Sequence, residues 1–226
     1  VVSPIISNIY LHEVLDKWFV NEVKVRLKGR SCLVRFADDA VLGFETKEDA
    51  DRVMKVLGKR LSKFRLSLHP EKTRLLPFQR PSRNAAGQGS RSTSPETFDF
   101  LGFTHYWGKS RKGNWVVMRK TAQDRFSRGL KQIREGCRRN RHRKIEDQHR
   151  VLCQKLRGHN AYYGITGNGV SLQKFREEVK KVWHKWLNRR SRKPRDITWE
   201  RFGVLIRHHF PLPPARVVHS TYAAKP

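Results

Sequence analysis

Negative charge is scarce in this chain. Only 20 Asp and Glu stand against 49 Lys and Arg over 226 residues, a formal net charge of +29. Self-repulsion on that scale weakens a compact state unless something neutralises it, so the composition points to a polyanionic partner. Cysteine is nearly absent. Cys32, Cys137 and Cys153 are odd in number and include no Cys-x-x-Cys pair. That argues against a disulfide framework and a zinc ribbon, and it suits a reducing compartment. No stretch approaches the ~18 consecutive apolar residues of a membrane span. No membrane partner is expected, and the chain reads as a resident of a bacterial-type cytoplasm or an organelle rather than a secreted protein. Internal repeats are also missing.

What is present suffices for a core: 37% of residues are hydrophobic, and the length allows one large or two small domains. The charge is unevenly placed. Residues 1–79 hold 15 Lys and Arg and 10 Asp and Glu, a net of +5, whereas residues 80–226 hold the remaining 34 and 10, a net of +24. The first part is close to ordinary and the second is a cation.

The clearest periodic segment spans 46–65. Thr46 can cap it, with Asp49 three residues on in capping-box position, and Ala50, Val53, Met54, Leu57, Leu61 and Phe64 make one apolar stripe at helical spacing. A helix is also predicted over Ile9 to Phe19, and a short strand that ends at His69-Pro70. Residues 79–97, rich in Ser, Arg, Gly, Gln and Pro, read as a flexible loop. A hairpin is predicted over 98–108 and 114–119, turning at Lys112-Gly113-Asn114. From Thr121 the pattern is helical. Phe126, Leu130 and Ile133 share one face, Val151, Leu152, Leu156 and Tyr163 a second, and Leu172, Phe175, Val179, Val182, Trp183 and Trp186 a third. A shorter helix follows over about 198–208.

The chemistry centres on Val34-Arg35-Phe36-Ala37-Asp38-Asp39-Ala40-Val41-Leu42-Gly43-Phe44. Two aspartates between short apolar runs predict a β-hairpin with carboxylates at its tip. Such a pair suits Mg²⁺, which prefers hard oxygen ligands and shares its shell with substrate phosphates. The plain alternative is a solvated turn, since Asp favours turns through its own hydrogen bonding. On an extended strand neighbouring side chains alternate in direction, so only one of the two can point squarely at a shared metal.

The flanks weigh against the plain alternative. Phe36-Ala37-Asp38-Asp39 resembles the aromatic-x-Asp-Asp box of reverse transcriptases. Val1-Val2-Ser3-Pro4, followed by Asn8-Ile9-Tyr10-Leu11, is similar to the family's helix beside the incoming nucleotide. Leu66-Ser67-Leu68-His69-Pro70-Glu71-Lys72-Thr73 resembles the segment after the palm helix. Phe98-Asp99-Phe100-Leu101-Gly102-Phe103 is similar to the hairpin that grips the primer. Within that family the chain is closest to the group II intron reverse transcriptase/maturase. Leu156 to Gly164, Trp199-Glu200-Arg201-Phe202 and Phe210-Pro211-Leu212-Pro213-Pro214 resemble the maturase-specific thumb. These last segments argue against a retron or a diversity-generating element.

The resemblance implies an α+β fold: a partial polymerase palm of antiparallel hairpins packed on helices (1–120), then an all-α thumb bundle (121–226). It implies RNA-directed DNA synthesis with two Mg²⁺ ions, an RNA template with a DNA primer, deoxynucleotides and group II intron RNA as partners, and a role in splicing. By resemblance Asp38 is the principal metal ligand and Asp39 the assistant. Lys72 neutralises the leaving pyrophosphate, or is an ordinary surface lysine. Ser3, Pro4, Asn8, Phe36 and Ala37 shape the nucleotide pocket. Phe100, Leu101, Gly102 and Phe103 form the primer grip, with Gly102 allowing close backbone approach.

The family's metal site takes a further carboxylate from an earlier palm strand. Upstream of Asp38 the acids are Glu13, Asp16 and Glu22, and Asp16 falls in a predicted helix. The expectation is therefore a C-terminal portion of a larger enzyme, inactive by itself. A non-enzymatic splicing cofactor is the second expectation. RNA contact falls to Arg138, Arg139, Arg141, Arg143 and Lys144, to Arg157, and to Arg189, Arg190, Arg192 and Lys193, which would engage phosphates in a salt-sensitive way. Tyr162 and Tyr163 are candidates for base stacking, with one of them facing the core. His208, His209 and His219 lack the partners of a metal site and are assigned to packing or phosphate contact.

Overall fold

One uninterrupted helical run opens the chain. In the computed structural model, which describes residues 2–81, 96–190 and 197–219, α1 (Val2–Leu11) passes into wide π-type turns at His12–Lys17 and Phe19–Val23 and a tight last turn at Lys24–Arg26. It is therefore longer than the predicted Ile9–Phe19. Pro4 is tolerated because it lies in the first turn, where its missing N–H has no partner to lose. Within the wide turns the Val14 carbonyl accepts from Arg60 Nε at 3.2 Å, the kind of side-chain insertion that loosens a helical ladder.

The extended Leu27 leads into β1 (Ser31–Phe36) and β2 (Asp39–Phe44), an antiparallel pair. Then comes α2 (Lys47–Lys63). The Thr46 side chain accepts from the Asp49 N–H, as its capping position predicts, a contact typically worth about 1 kcal/mol. Asp49 does not reciprocate in a capping box. Its carboxylate reaches instead to the N–H groups of Lys28 and Gly29, at 3.1 and 3.0 Å, and ties the helix start to the β1 approach. The core of this first unit packs Val14, Leu15, Trp18, Phe19 and Val23 against Val53, Leu57 and Leu61. The predicted strand before His69-Pro70 does not form. Leu66 and Leu68 turn toward the core and Ser67 outward, as in a strand, but among the described residues no neighbour offers them a ladder.

The second compact unit begins, among the strands, at Thr97, so the composition shift near residue 120 falls inside it. Its sheet has three strands in the order β3 (Phe98–Phe100), β4 (Phe103–Lys109) and β5 (Trp115–Thr121), all antiparallel. The predicted hairpin is thus two. Leu101 and Gly102, at φ of 51° and 77°, make a two-residue turn with positive φ at both centres, which matches the twist of the flanking strands. The helices α3 (Gln123–Arg139), α4 (Ile145–Tyr163), α5 (Gly169–Asn188) and α6 (Trp199–Val204) follow. They bury Ile133, Leu152, Leu156, Phe175, Val179, Trp183 and Phe202 in one core. The fold class is α+β, as expected.

Two devices close this unit. Asn168, 1% exposed, accepts from the Thr121 N–H at 2.9 Å and donates to Thr121 Oγ1 and the Tyr163 carbonyl at 2.9 and 2.8 Å. It joins the end of β5 to the α4–α5 turn. The proline-rich segment 210–219 then runs as a strap over α4 and α5. Its carbonyls at Leu212 and Pro213 accept from Arg176, and that at Pro214 from Asn160. The Pro211 carbonyl lies 3.0 Å from His149 Nε2, and Leu212 is sunk into the core. Most of the 79–97 loop lies outside the described residues.

Candidate active-site hairpin and nucleic-acid interface

Register places Phe36 opposite Asp39, leaving Ala37 and Asp38 as the two-residue turn. Ala37 has φ of 53°, the left-handed region that costs a residue with a Cβ about 1–2 kcal/mol. Arg35 reaches this turn from the strand before it. It occupies an inward position of β1, its side chain 13% exposed. Its Nη1 donates to the Ala37 carbonyl and to Asn8 Oδ1 of α1, each at 2.9 Å. Its Nε and Nη2 fork onto the two carboxylate oxygens of Asp16, both at 2.8 Å. Two-pronged pairing of this kind is strong and directional. Arg35, with help from His12, holds the Asp16 carboxyl below the usual carboxylate range, and Asp16 in turn pushes the Arg35 guanidinium up.

Asp38 and Asp39 are both exposed, and among the described residues neither enters an ion pair. Two hard, uncommitted carboxylates fit Mg²⁺, which commonly takes one or two carboxylates and completes its shell with water and phosphate oxygens. Among the described residues no three His, Cys, Asp or Glu side chains gather as a metal cluster. Two of the three upstream acids are already engaged: Asp16 is taken by Arg35, and Glu13 pairs with Lys17 at 2.7 Å.

The other residues assigned to nucleotide or phosphate behave differently from one another. Phe36 is 65% exposed, with Val34 at 53%, so an apolar strip flanks the carboxylates. Asn8 spends its amide on Arg35 and on the Pro4 carbonyl, at 3.1 Å. Ser3 lies in α1, but its side chain is outside the described residues. Lys72 is exposed in a turn closed by its own N–H and that of Thr73 on the His69 carbonyl.

The expected primer-grip turn is clasped by the two tyrosines. The Tyr162 hydroxyl donates to the Leu101 carbonyl at 3.1 Å, and its ring lies over Phe103 with centroids 6.0 Å apart. Tyr163 meets Phe103 edge-on at 5.4 Å. A Cβ on Gly102 would stand 3.3 Å from the Tyr163 hydroxyl oxygen. Gly102 thus serves both the positive φ and the close approach of that ring. Phe100 is half-buried beside His105.

The two cationic runs converge. Buried Gln148 donates to the Arg141 and Arg143 carbonyls, at 3.3 and 3.0 Å, and accepts from Trp183 Nε1 at 3.2 Å. From the end of α5, Arg190 Nη2 reaches the same Arg143 carbonyl at 2.8 Å. So Arg138, Arg139, Arg143, Lys144, Arg189 and Arg190 share one end of the bundle, with Arg141 folded back on the Arg138 carbonyl. A plainer role coexists, since arginines at the C-termini of α3 and α5 also suit the helix dipoles. Arg157 is exposed along α4. Arg192 and Lys193 lie outside the described residues. His219 Nε2 contacts the Ala161 carbonyl at 2.9 Å, a packing role.

Neither motif nor periodicity marks Arg35, Asp16 or Gln148 as functional. The one available signal was an arginine placed on the inward side of a short, otherwise apolar strand.

Residues 1–105, just under half of the chain, match the model of the family described as reverse transcriptase (RNA-dependent DNA polymerase). The match takes in α1, the carboxylate hairpin and β3, and it supports a reverse transcriptase. Such an enzyme copies an RNA template with nucleotide substrates. No curated protein matches the chain. Among the described residues no helix is long and apolar enough to cross a membrane.

Proposed function

We propose that the protein is an RNA-directed DNA polymerase of the group II intron type, with a maturase role in splicing of the intron RNA. The observation that carries this is the exposed Asp38–Asp39 pair on a braced two-residue turn, inside the segment that matches the reverse transcriptase model. The intron-specific part rests on the resemblance of Leu156–Gly164, Trp199–Phe202 and Phe210–Pro214 to the maturase thumb, and on the concentration of cations in the second unit.

In this reading Asp38 and Asp39 hold Mg²⁺, which when bound polarises phosphoryl oxygens for in-line displacement. Arg35 keeps the turn that carries them in one conformation. Lys72 offers a cation to the leaving pyrophosphate. The Leu101–Gly102 turn contacts the primer, although its strands fold with the helices. The converged arginines bind template and intron RNA through phosphates, which confers affinity without sequence preference. A splicing cofactor without polymerase activity is the second reading, since the cationic second unit can bind RNA whether or not DNA is made.

The test is RNA-templated primer extension by the intact protein, run beside RNA binding and intron splicing. Asp38→Asn is expected to abolish DNA synthesis while sparing the other two. Equal loss of all three would overturn the separation of roles, and splicing without any synthesis by the unaltered protein would favour the cofactor.

A further inference from the structure

We propose that Arg35 is the positioning residue of the carboxylate pair: it locks the Ala37–Asp38 turn to the opening helix, and Asp16 and Asn8 serve as its anchors. The inference rests on the metal-binding reading of Asp38 and Asp39 given above. Four hydrogen bonds from one guanidinium carry it. Two end on Asp16, one on Asn8 and one on the carbonyl of Ala37, the residue immediately before Asp38. The last of these restrains a peptide unit in the left-handed region, where an alanine does not rest by preference. A two-stranded hairpin with an exposed tip is otherwise a weak platform, being marginal in isolation.

The geometry also assigns Asp16 and Asn8. Asp16 is the acid that a sequence reader would consider as a third metal ligand, yet both of its oxygens face Arg35. It acts on the pair only through Arg35. Asn8 acts the same way from about two turns of helix closer to the start of the chain, its orientation fixed by its bond to the Pro4 carbonyl. Lysine cannot replace Arg35, because one ammonium on a flexible stem cannot span Asp16, Asn8 and the Ala37 carbonyl together.

The experiment uses the whole chain, labelled for NMR, with Mn²⁺ as the probe. The variants are Arg35→Lys and the milder Asn8→Ala, which removes one anchor and leaves the ion pair. ¹⁵N relaxation reports the order of the Asp38 and Asp39 amides, and Mn²⁺ titration reports their paramagnetic broadening. We expect both amides to become mobile in Arg35→Lys and, to a lesser degree, in Asn8→Ala. Half-maximal broadening in Arg35→Lys should need roughly 10-fold more Mn²⁺, the scale on which outer-sphere partners tune metal affinity. A turn as ordered as in the unaltered protein in both variants overturns the proposal. If Arg35→Lys fails to fold, Asn8→Ala alone decides. If the unaltered protein shows no broadening at Asp38 and Asp39, the metal reading fails, and relaxation of the turn still decides whether Arg35 positions it.

Discussion

Replacing Asn168 with alanine should detach the three-stranded sheet from the helices without touching a proposed catalytic group. Asn168 is 1% exposed and Thr121 6%. The substitution removes three hydrogen bonds, but their costs differ. The Tyr163 carbonyl still accepts from the Ile165 N–H at 2.8 Å, and the Thr121 hydroxyl can rotate. The Thr121 N–H is left buried with no acceptor. An orphaned buried donor costs about 1–3 kcal/mol, and each of the two milder losses about 0.5–1.5 kcal/mol. The total is about 2–6 kcal/mol, and water entering the vacated space moves it toward the lower end. Urea unfolding followed by far-ultraviolet circular dichroism gives the global figure, and hydrogen exchange at the Thr121 amide gives the local one. Primer extension should weaken as well, because the Leu101–Gly102 turn loses its fixed place against Tyr162 and Tyr163. A loss below about 1 kcal/mol, with Thr121 exchange unchanged, would refute the reasoning; the stacking of Phe103 on the tyrosines would then be what joins sheet to bundle.

Gly164→Ala should destabilise the second unit by about 3 kcal/mol, at the upper end for overpacking, since a Cβ there would press on the Asn160 carbonyl and stand 2.8 Å from that of Arg216. An unchanged melting temperature would refute it. Burial holds the His159 imidazole, stacked 3.8 Å from Phe175, down at about 4. The unfolded chain, with an ordinary histidine near 6.5, therefore binds the extra proton between those values. The stability contributed by neutral His159 is complete above pH ~6.5 and is lost as pH falls toward 4. His159→Phe should remove one proton from the slope of stability against pH in that window, and an unaltered slope would sink the assignment. RNA affinity should fall steeply with salt on a log–log plot. Replacing Arg139, Arg143 or Arg189 singly should reduce the slope by about 1 each, and a flat plot would rule out phosphate contact as the source of affinity.

Local signals in the sequence carried far. The Thr46 cap, the apolar stripe of the helix behind it and the tip of the carboxylate hairpin follow from short-range pattern, and the structure has all three. What the sequence concealed was pairing over distance. The strands after Phe98 join the helices through Asn168, 47 residues beyond Thr121, and through the tyrosine clasp on the Leu101–Gly102 turn, and neither a single buried amide nor a ring contact leaves a periodic trace. Gly102 marks the bend after Leu101, but leucine gives no warning of its own positive φ. Leu66–Leu68 misled in the other direction, since an alternating pattern states which side faces the core but not whether a neighbouring strand exists. Arg35 was passed over because an arginine in a basic chain looks ordinary. Only its inward register and the helix beneath it reveal the four bonds.

The strap has a consequence for how this protein is made. Residues 210–219 are the last described part of the second unit to be synthesised, and they provide the Leu212 side chain and the acceptors for Arg176 and Asn160. While they are still inside the ribosome, α4 and α5 wait with an open seam and unpaired donors. Native closure is thus a late event in translation, and a pause just before the codons for the strap would prolong a half-zipped bundle with its apolar seam uncovered.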